Sequence, residues 1–110
     1  MAKEISPEEE FQIYQQQLQT LLIQKESLKL KISEIESALE ELEKSEQKQA
    51  YKIVGNVMVS KNVEELKKEL MEKKEEAELR IKSLEKTEER VMNKLKDLQT
   101  LVKGEEDEGA

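Results

Sequence analysis

The sequence predicts a mainly α-helical fold in which two long helices form an antiparallel coiled coil and are joined by a single β-hairpin. Two observations carry this prediction. Heptad-spaced apolar residues fill both halves of the 110-residue chain, and a short strand-like segment without heptads separates them. The composition agrees, since 35% apolar and 41% charged residues are typical of long exposed helices and not of a compact core.

The first helix is expected to span residues 7–49, after an N-terminal extension of residues 1–6. Ser6, Pro7 and Glu9 are typical of a helix start. The Ser6 side chain can accept hydrogen bonds from the first free backbone N–H groups, and Pro7 lies at a position where its missing N–H does no harm. Its apolar seam alternates steps of three and four residues: Phe11, Tyr14, Leu18, Leu21, Leu28, Ile32, Ile35, Leu39 and Leu42. Lys25 occupies the one charged position of this seam.

The second helix is expected to span residues 62–103, with Asn62 as its N-terminal cap. Its seam runs through Val63, Leu66, Leu70, Lys73, Ala77, Ile81, Leu84, Glu88, Val91, Leu95, Leu98 and Val102. Two consecutive steps of four near Ala77 indicate a stutter, which is a local unwinding of the coiled coil. Gly104 is expected to end the helix, and the acidic residues 104–110 are expected to form a disordered tail.

The short connection makes the two helices antiparallel and thereby sets the pairing of their seams. Folding the chain about Gly55 and Asn56 places Lys25 opposite Glu88. Such a polar pair disfavours shifted pairings, because a shift buries one charge without its partner. The alternative is that both side chains extend into water and set no register.

Residues 50–61 are expected to form the hairpin and to serve oligomerisation. The pair Gly55–Asn56 suits a two-residue turn, with Gly55 adopting a positive φ. A lone two-stranded hairpin is marginally stable and leaves both edges unpaired, so hairpins of several subunits are expected to assemble into a closed β-barrel. The expected oligomerisation residues lie on both faces and at the turn: Tyr51, Ile53, Val54, Gly55, Val57, Met58 and Val59.

Residue types and charge exclude several classes of function. The chain has no histidine and no cysteine, so neither catalytic residues nor a metal site nor a cofactor is expected, and the chain is not predicted to be an enzyme. A net charge of −7 does not suit nucleic acid as a partner. No apolar run reaches membrane-spanning length and no signal peptide is recognisable, so no membrane partner and a cytoplasmic location are expected.

The whole pattern resembles the β subunits of archaeal prefoldin, in which one β-hairpin joins two long coiled-coil helices. The most specific stretch is residues 50–59, which read Ala-Tyr-Lys-Ile-Val-Gly-Asn-Val-Met-Val and are followed by a glutamate-rich helix start at residues 62–66. The resemblance covers residues 6–103. The α subunits of the family have four strands between their helices, whereas this segment has room for two.

The resemblance implies an ATP-independent molecular chaperone subunit. In the family, α and β subunits assemble through their hairpins into a hetero-hexameric double β-barrel, and the projecting coiled coils hold non-native proteins and deliver them to a group II chaperonin. The implied partners are prefoldin α subunits, other β subunits, unfolded clients and the chaperonin. Clients are expected to bind at the distal tips, where apolar residues continue beyond the covered seam: Phe11, Ile13, Tyr14, Leu98, Leu101 and Val102.

Two alternatives follow from the residues themselves. The chain could be a coiled-coil scaffold or tether that is not a chaperone, but a plain linking loop would have no reason to carry the apolar residues of the hairpin. Off the seam, Leu22, Ile23 and Met92 either contact clients or widen the contact between the helices.

Overall fold

The computed structural model describes residues 4–108, with side chains for residues 4–104. The elements are α1 (Pro7–Lys44), β1 (Gln49–Val54), β2 (Val57–Asn62) and α2 (Val63–Glu108). This order confirms the predicted fold class. The chain divides into two units, each described by itself: the terminal unit, up to Glu26 and from Ile81 onward, and the hairpin unit, Ser27–Arg80.

Capping residues set the start of α1 as predicted. The Ser6 hydroxyl accepts the backbone N–H of Glu9 at 3.2 Å, and the Ser6 carbonyl accepts that of Glu10 at 2.9 Å. Carboxylates in this first turn also complement the positive end of the helix dipole. The start of α1 is therefore stabilised by side chains within one turn of it.

The end of α1 corrects the predicted boundary at residue 49, because the helix stops at Lys44. The N–H of Ser45 still bonds to the carbonyl of Glu41 at 3.1 Å, but the Ser45 hydroxyl then accepts the N–H of Gln47 at 3.2 Å. This local bond takes the N–H that a continued helix would have bonded to the Glu43 carbonyl. Strand pairing begins at Gln49, so pairing with β2 prevails over the helix propensity of this stretch.

The start of α2 agrees with the predicted cap. The Asn62 side-chain oxygen accepts the backbone N–H of Glu64 at 2.9 Å and, more weakly, that of Glu65 at 3.4 Å. Since Asn62 is also the last residue of β2, strand and helix follow each other without a loop. The hairpin is thereby joined directly to the first turn of α2.

The end of α2 corrects a second boundary, since the helix continues through Gly104 to Glu108. Residues 104–108 are thus helical and do not form the predicted disordered tail, while 109–110 lie outside the described residues. Gly104 does not adopt a positive φ. Glycine costs about 1 kcal/mol in a helix relative to alanine but keeps the N–H that the helix requires, so it does not end the helix by itself.

The predicted seam is the least exposed part of both helices. In the hairpin unit Ile35, Val63, Leu66 and Ala77 are buried, and in the terminal unit Val91 and Leu98 are buried. The remaining seam positions are half-buried, with the exception of Lys73. Burial along one stripe of each helix is what a coiled coil requires, so the heptad analysis is confirmed.

Lys74, and not Lys73, occupies the seam at the stutter. The Lys74 side chain is 32% exposed and its ammonium lies 3.4 Å from the Glu36 carboxylate, whereas Lys73 is 45% exposed. The two steps of four therefore run from Leu66 through Leu70 to Lys74, about two turns earlier than predicted. Spacing alone admitted either lysine, because a lysine stem can lie along a seam while its ammonium reaches a carboxylate at the edge.

Lys25 and Glu88 meet in the terminal unit as the predicted register pair. The Lys25 ammonium donates to Glu88 at 2.9 Å and lies 3.8 Å from Glu85. The side chains of Lys25 and Glu88 are only 13% and 18% exposed, so the alternative in which both extend into water is wrong. The hydrogen bond to Glu88 raises the pKa of Lys25 against the opposing effect of burial.

Exchanging the two charges tests whether this pair sets the register. Lys25→Glu and Glu88→Lys should each lower the melting temperature, because each places like charges opposite each other in the seam. The double exchange should recover more than half of the summed loss, as measured by circular dichroism. Because the pKa of Lys25 is raised on folding, the stabilisation is complete below the unfolded pKa of 10.5 and is lost as the pH rises through the folded pKa. Additive losses in the double variant would contradict the pairing.

Candidate functional site

The hairpin closes with the predicted two-residue turn. Strands β1 and β2 pair antiparallel along their whole length, from Gln49 opposite Asn62 to Val54 opposite Val57. Gly55 has a φ of 61°, while Asn56 has no positive φ, which is the pattern of a type II′ turn. A side chain at Gly55 would meet nothing within 4 Å, so backbone conformation and not space requires glycine there.

Both long edges of the hairpin are open to further strands. A two-residue turn makes Val54 and Val57 a hydrogen-bonded pair, and such pairs alternate along the ladder. The bond from the Val63 N–H to the Lys48 carbonyl, 2.9 Å long, continues this alternation. The backbone groups of the intervening residues therefore point outward: Tyr51 and Ile53 on β1, and Met58 and Ser60 on β2. Among residues 4–108 the sheet has only two strands, so each edge lacks a neighbouring strand.

Both faces of the hairpin expose large apolar side chains. On one face, here called the Tyr51 face, Tyr51, Ile53 and Met58 are 67%, 73% and 64% exposed. The opposite face, here called the Val57 face, carries Val54, Val57 and Val59, which are also exposed. Such a concentration of apolar surface on a short segment is typical of a surface that association buries. The seven predicted oligomerisation residues thus lie together on one exposed element.

The Val57 face is connected to α2 by a cluster of charges that the sequence analysis did not single out. Glu69 bonds to Lys52 of β1 through one carboxylate oxygen and to Lys61 of β2, at 2.8 Å, through the other. Lys73 lies 3.6 Å from the same carboxylate. The strand register could have indicated this cluster, because Lys52 and Lys61 lie on the same face of a hairpin that leads directly into α2.

These lysines hold the pKa of Glu69 far below its usual range. Hydrogen bonds from Lys52 and then Lys61 lower the pKa to about 2, and burial opposes the shift only in part. A lowered carboxyl pKa stabilises the folded state fully above the unfolded pKa, here 4.5, and the effect is lost as the pH falls toward about 2. At neutral pH Glu69 is therefore a fully charged acceptor for both strands.

The predicted client residues lie in the terminal unit, where the start of α1 and the end of α2 line an open groove of about 570 Å³. Phe11 and Val102 are its apolar residues, and the rest of the lining is polar: Glu8, Gln12, Gln15, Gln99 and Lys103. The groove therefore combines a small apolar surface with groups that can exchange hydrogen bonds with a peptide backbone.

The six predicted tip residues differ in accessibility. Ile13 and Leu101 are exposed, at 42% and 52%, so they can contact another molecule without rearrangement. Tyr14 is half-buried like Phe11 and Val102, whereas Leu98 is buried in the seam. Ile5, which was not among the predicted residues because it lies outside any heptad, is also exposed, in front of the α1 cap.

Exposed apolar residues also occur along the flanks of the helices. Leu22, Ile23 and Met92 are all exposed, and of the two alternatives given for them, widening of the helix contact is wrong for Ile23, which is 70% exposed. Leu30, Met71 and Leu79 are further exposed positions outside the predicted seam. These scattered residues serve as controls for the two concentrated sites, because single exposed apolar residues are ordinary.

Membrane-spanning helices and metal-binding clusters are both absent from the described residues. No helix there is long and apolar enough to cross a membrane. No group of three or more acidic, histidine or cysteine side chains is arranged there to hold a metal ion.

The fold defines a class of protein in which an exposed β-hairpin joins two long coiled-coil helices. A family model described as prefoldin subunit matches residues 8–104. The chain therefore belongs to the prefoldin family, whose members are chaperone subunits.

Similarity to individual proteins points to the β type. The chain is 40% identical over 91 residues to the prefoldin subunit beta of Archaeoglobus fulgidus, covering 82% of this chain and 78% of that one. It is 38% identical over 107 residues to that of Methanospirillum hungatei, covering 92% and 89%. The crystal structure of the prefoldin beta subunit from Thermococcus strain KS-1 superposes with a TM-score of 0.77 at 34% identity, covering 86% of this chain and 84% of that one.

Proposed function

We propose that this chain acts in the cytoplasm as the β-type subunit of a hetero-hexameric prefoldin that captures non-native proteins without ATP or a catalytic step. Its partners are prefoldin α subunits, further β subunits, unfolded clients and a group II chaperonin that receives them. The observation that carries the proposal is the hairpin, whose exposed apolar faces and open edges have no partner strand within residues 4–108.

Assembly through the hairpin follows from the cost of leaving it alone. Unpaired edges favour addition of another strand, and exposed apolar side chains gain free energy when a neighbouring hairpin covers them. Closure into a barrel removes the edges and turns one face inward. A scaffold that used residues 49–62 only as a connection would gain nothing from this apolar surface.

Client capture is assigned to the terminal unit because its groove differs chemically from the hairpin. Phe11 and Val102 offer an apolar lining, and exposed Ile13 and Leu101 lie on the same helix ends. A small open surface of this kind suits short apolar segments of unfolded chains, which present no fixed shape. Holding and assembly then use different residues and are separable.

Charges on the hairpin should abolish assembly. In Val57→Asp with Val59→Asp, carboxylates replace side chains that neighbouring hairpins would cover, so hexamer formation with a prefoldin α subunit should fail while helicity is retained. Light scattering measures the mass, and circular dichroism the helicity. The matched control is Met71→Asp with Leu79→Asp, which changes exposed apolar residues of α2 and should assemble normally. A normal hexamer mass for the hairpin variant would locate assembly in the helices.

Proline tests the open edge itself. The Ser60 N–H points away from β1, so Ser60→Pro removes an outward donor while the ladder within the hairpin survives. We expect loss of assembly with retained hydrogen-exchange protection of the inward amides of Val57 and Val59. Ser60→Ala keeps the outward donor and should assemble. Assembly by the proline variant at wild-type concentration would show that this edge accepts no neighbouring strand.

Serine at the exposed helix ends tests client capture. Ile13→Ser with Leu101→Ser should reduce suppression of aggregation of a denatured model protein by at least about threefold, because about 0.8 kcal/mol is lost per removed CH₂ contact. Hexamer mass should be unchanged. The control Ile23→Ser with Met92→Ser alters exposed flank residues of the same unit and should hold clients normally. Equal loss in both variants would move the client site to the flanks.

A further inference from the structure

A single carboxylate connects three elements of the hairpin unit. Glu69 of α2 bonds to Lys52 of β1 and to Lys61 of β2, and Lys73 adds a third ammonium from the next turn of the helix. We call these four residues the Glu69 clasp. Among the ion pairs recorded for the described residues, those of Glu69 are the ones that join the hairpin to a helix.

The strand register determines what the clasp can restrain. Lys52 is opposite Val59 and Lys61 is opposite Ala50, so the two lysines are diagonal neighbours on the Val57 face. Glu69 therefore holds the strand pair at two points on different strands. A single contact would leave the hairpin free to roll about its long axis, whereas two contacts on one side oppose that rotation.

Chain connectivity supplies little restraint of this kind. β2 continues into α2 through the Asn62–Val63 peptide, and β1 is reached from α1 through residues 45–48. These connections fix where the hairpin starts but leave its roll to side-chain contacts. The large apolar side chains of the hairpin are exposed and are therefore not buried against the helices.

The clasp also separates the two faces. The lysine heads and Glu69 lie at the base of the Val57 face and are partly shielded, with side chains 28%, 36% and 26% exposed. The Tyr51 face has no corresponding contact with α2 among the recorded ion pairs and stays open, with Ile53 at 73% exposure. The hairpin is thus presented with one face toward α2 and the other away from it.

We propose that Glu69 is a positioning residue for assembly, which holds the hairpin in the orientation that offers its open edges to neighbouring subunits. This inference rests on the proposed assembly through the hairpin. Loss of Glu69 has two consequences. The hairpin gains rotational freedom that association must remove, and two ammonium groups lose their carboxylate next to a surface that association buries.

The test compares Glu69→Gln with Glu72→Gln in the full chain. Both variants remove one negative charge from α2, but Glu72 takes no part in the Glu69 clasp. Sedimentation velocity with a prefoldin α subunit gives the concentration at which half of the chains are assembled. We expect Glu69→Gln to raise it at least about threefold, given that even exposed ion pairs contribute measurably and are multiplied over several subunits. Glu72→Gln should leave it unchanged.

A distance measurement provides the readout that a general loss of stability would not change. The chain has no cysteine, so Asn56→Cys and Glu76→Cys place two spin labels specifically, one at the turn and one on α2. In the unassembled chain, double electron–electron resonance should give a narrow distribution of the distance between the two labels. This distribution should broaden in the Glu69→Gln variant. The exchange Glu69→Lys with Lys52→Glu and Lys61→Glu should narrow it again, because opposite charges face each other once more.

The outcomes distinguish the two levels of inference. Failure of the unaltered chain to assemble with any α subunit would overturn the proposed function and the clasp with it. Normal assembly of the unaltered chain together with equally good assembly of Glu69→Gln would overturn the clasp alone. A distance distribution that stays narrow in Glu69→Gln would also overturn the clasp, whatever the result of the assembly measurement.

Discussion

The hairpin cannot bury its own apolar side chains within one chain, and this constraint governs the rest of the molecule. Two strands present two faces and two edges, while α2 contacts the hairpin through charged groups at its base. In a globular domain the neighbouring layers would cover such surface. Here the helices contact each other along their seams, so the apolar surface of the hairpin remains exposed. Membership in the prefoldin family agrees with this division between helices and hairpin.

Polar pairs supply the geometry that apolar contacts leave open. The seam of leucine, isoleucine and valine stabilises the helices but accepts neighbouring registers at little cost, because one apolar layer resembles the next. Lys25 with Glu88 and Lys74 with Glu36 interrupt that similarity at defined positions, one in each unit. Glu69 plays the corresponding part for the hairpin. In each case a partly shielded charge has its partner at only one arrangement of the two elements.

Exposed apolar side chains are concentrated on the hairpin and at the helix ends, and these two surfaces differ in their chemistry. On the hairpin the exposed side chains lie beside open backbone edges, which favours permanent association with a strand of defined register. At the helix ends Phe11 and Val102 line a groove with polar residues around them and no free strand edge. Such a groove makes few directional demands on what it binds. In the proposed function the first surface serves specific assembly and the second serves transient, less specific contact.

The sequence by itself determined the elements whose signals are local. Seam burial followed from steps of three and four, the starts of both helices from Ser6 and Asn62, and the turn from Gly55, because side chain and backbone within one turn decide each of them. Tertiary structure decided the outcome where two alternative local structures had a similar free energy. Pairing with β2 ended α1 at Lys44, an available carboxylate selected Lys74 over Lys73, and Gly104 remained helical since nothing local compelled an end. The meeting of Glu69 with two strands required the register and direction of the hairpin, which are properties of contacts between distant residues.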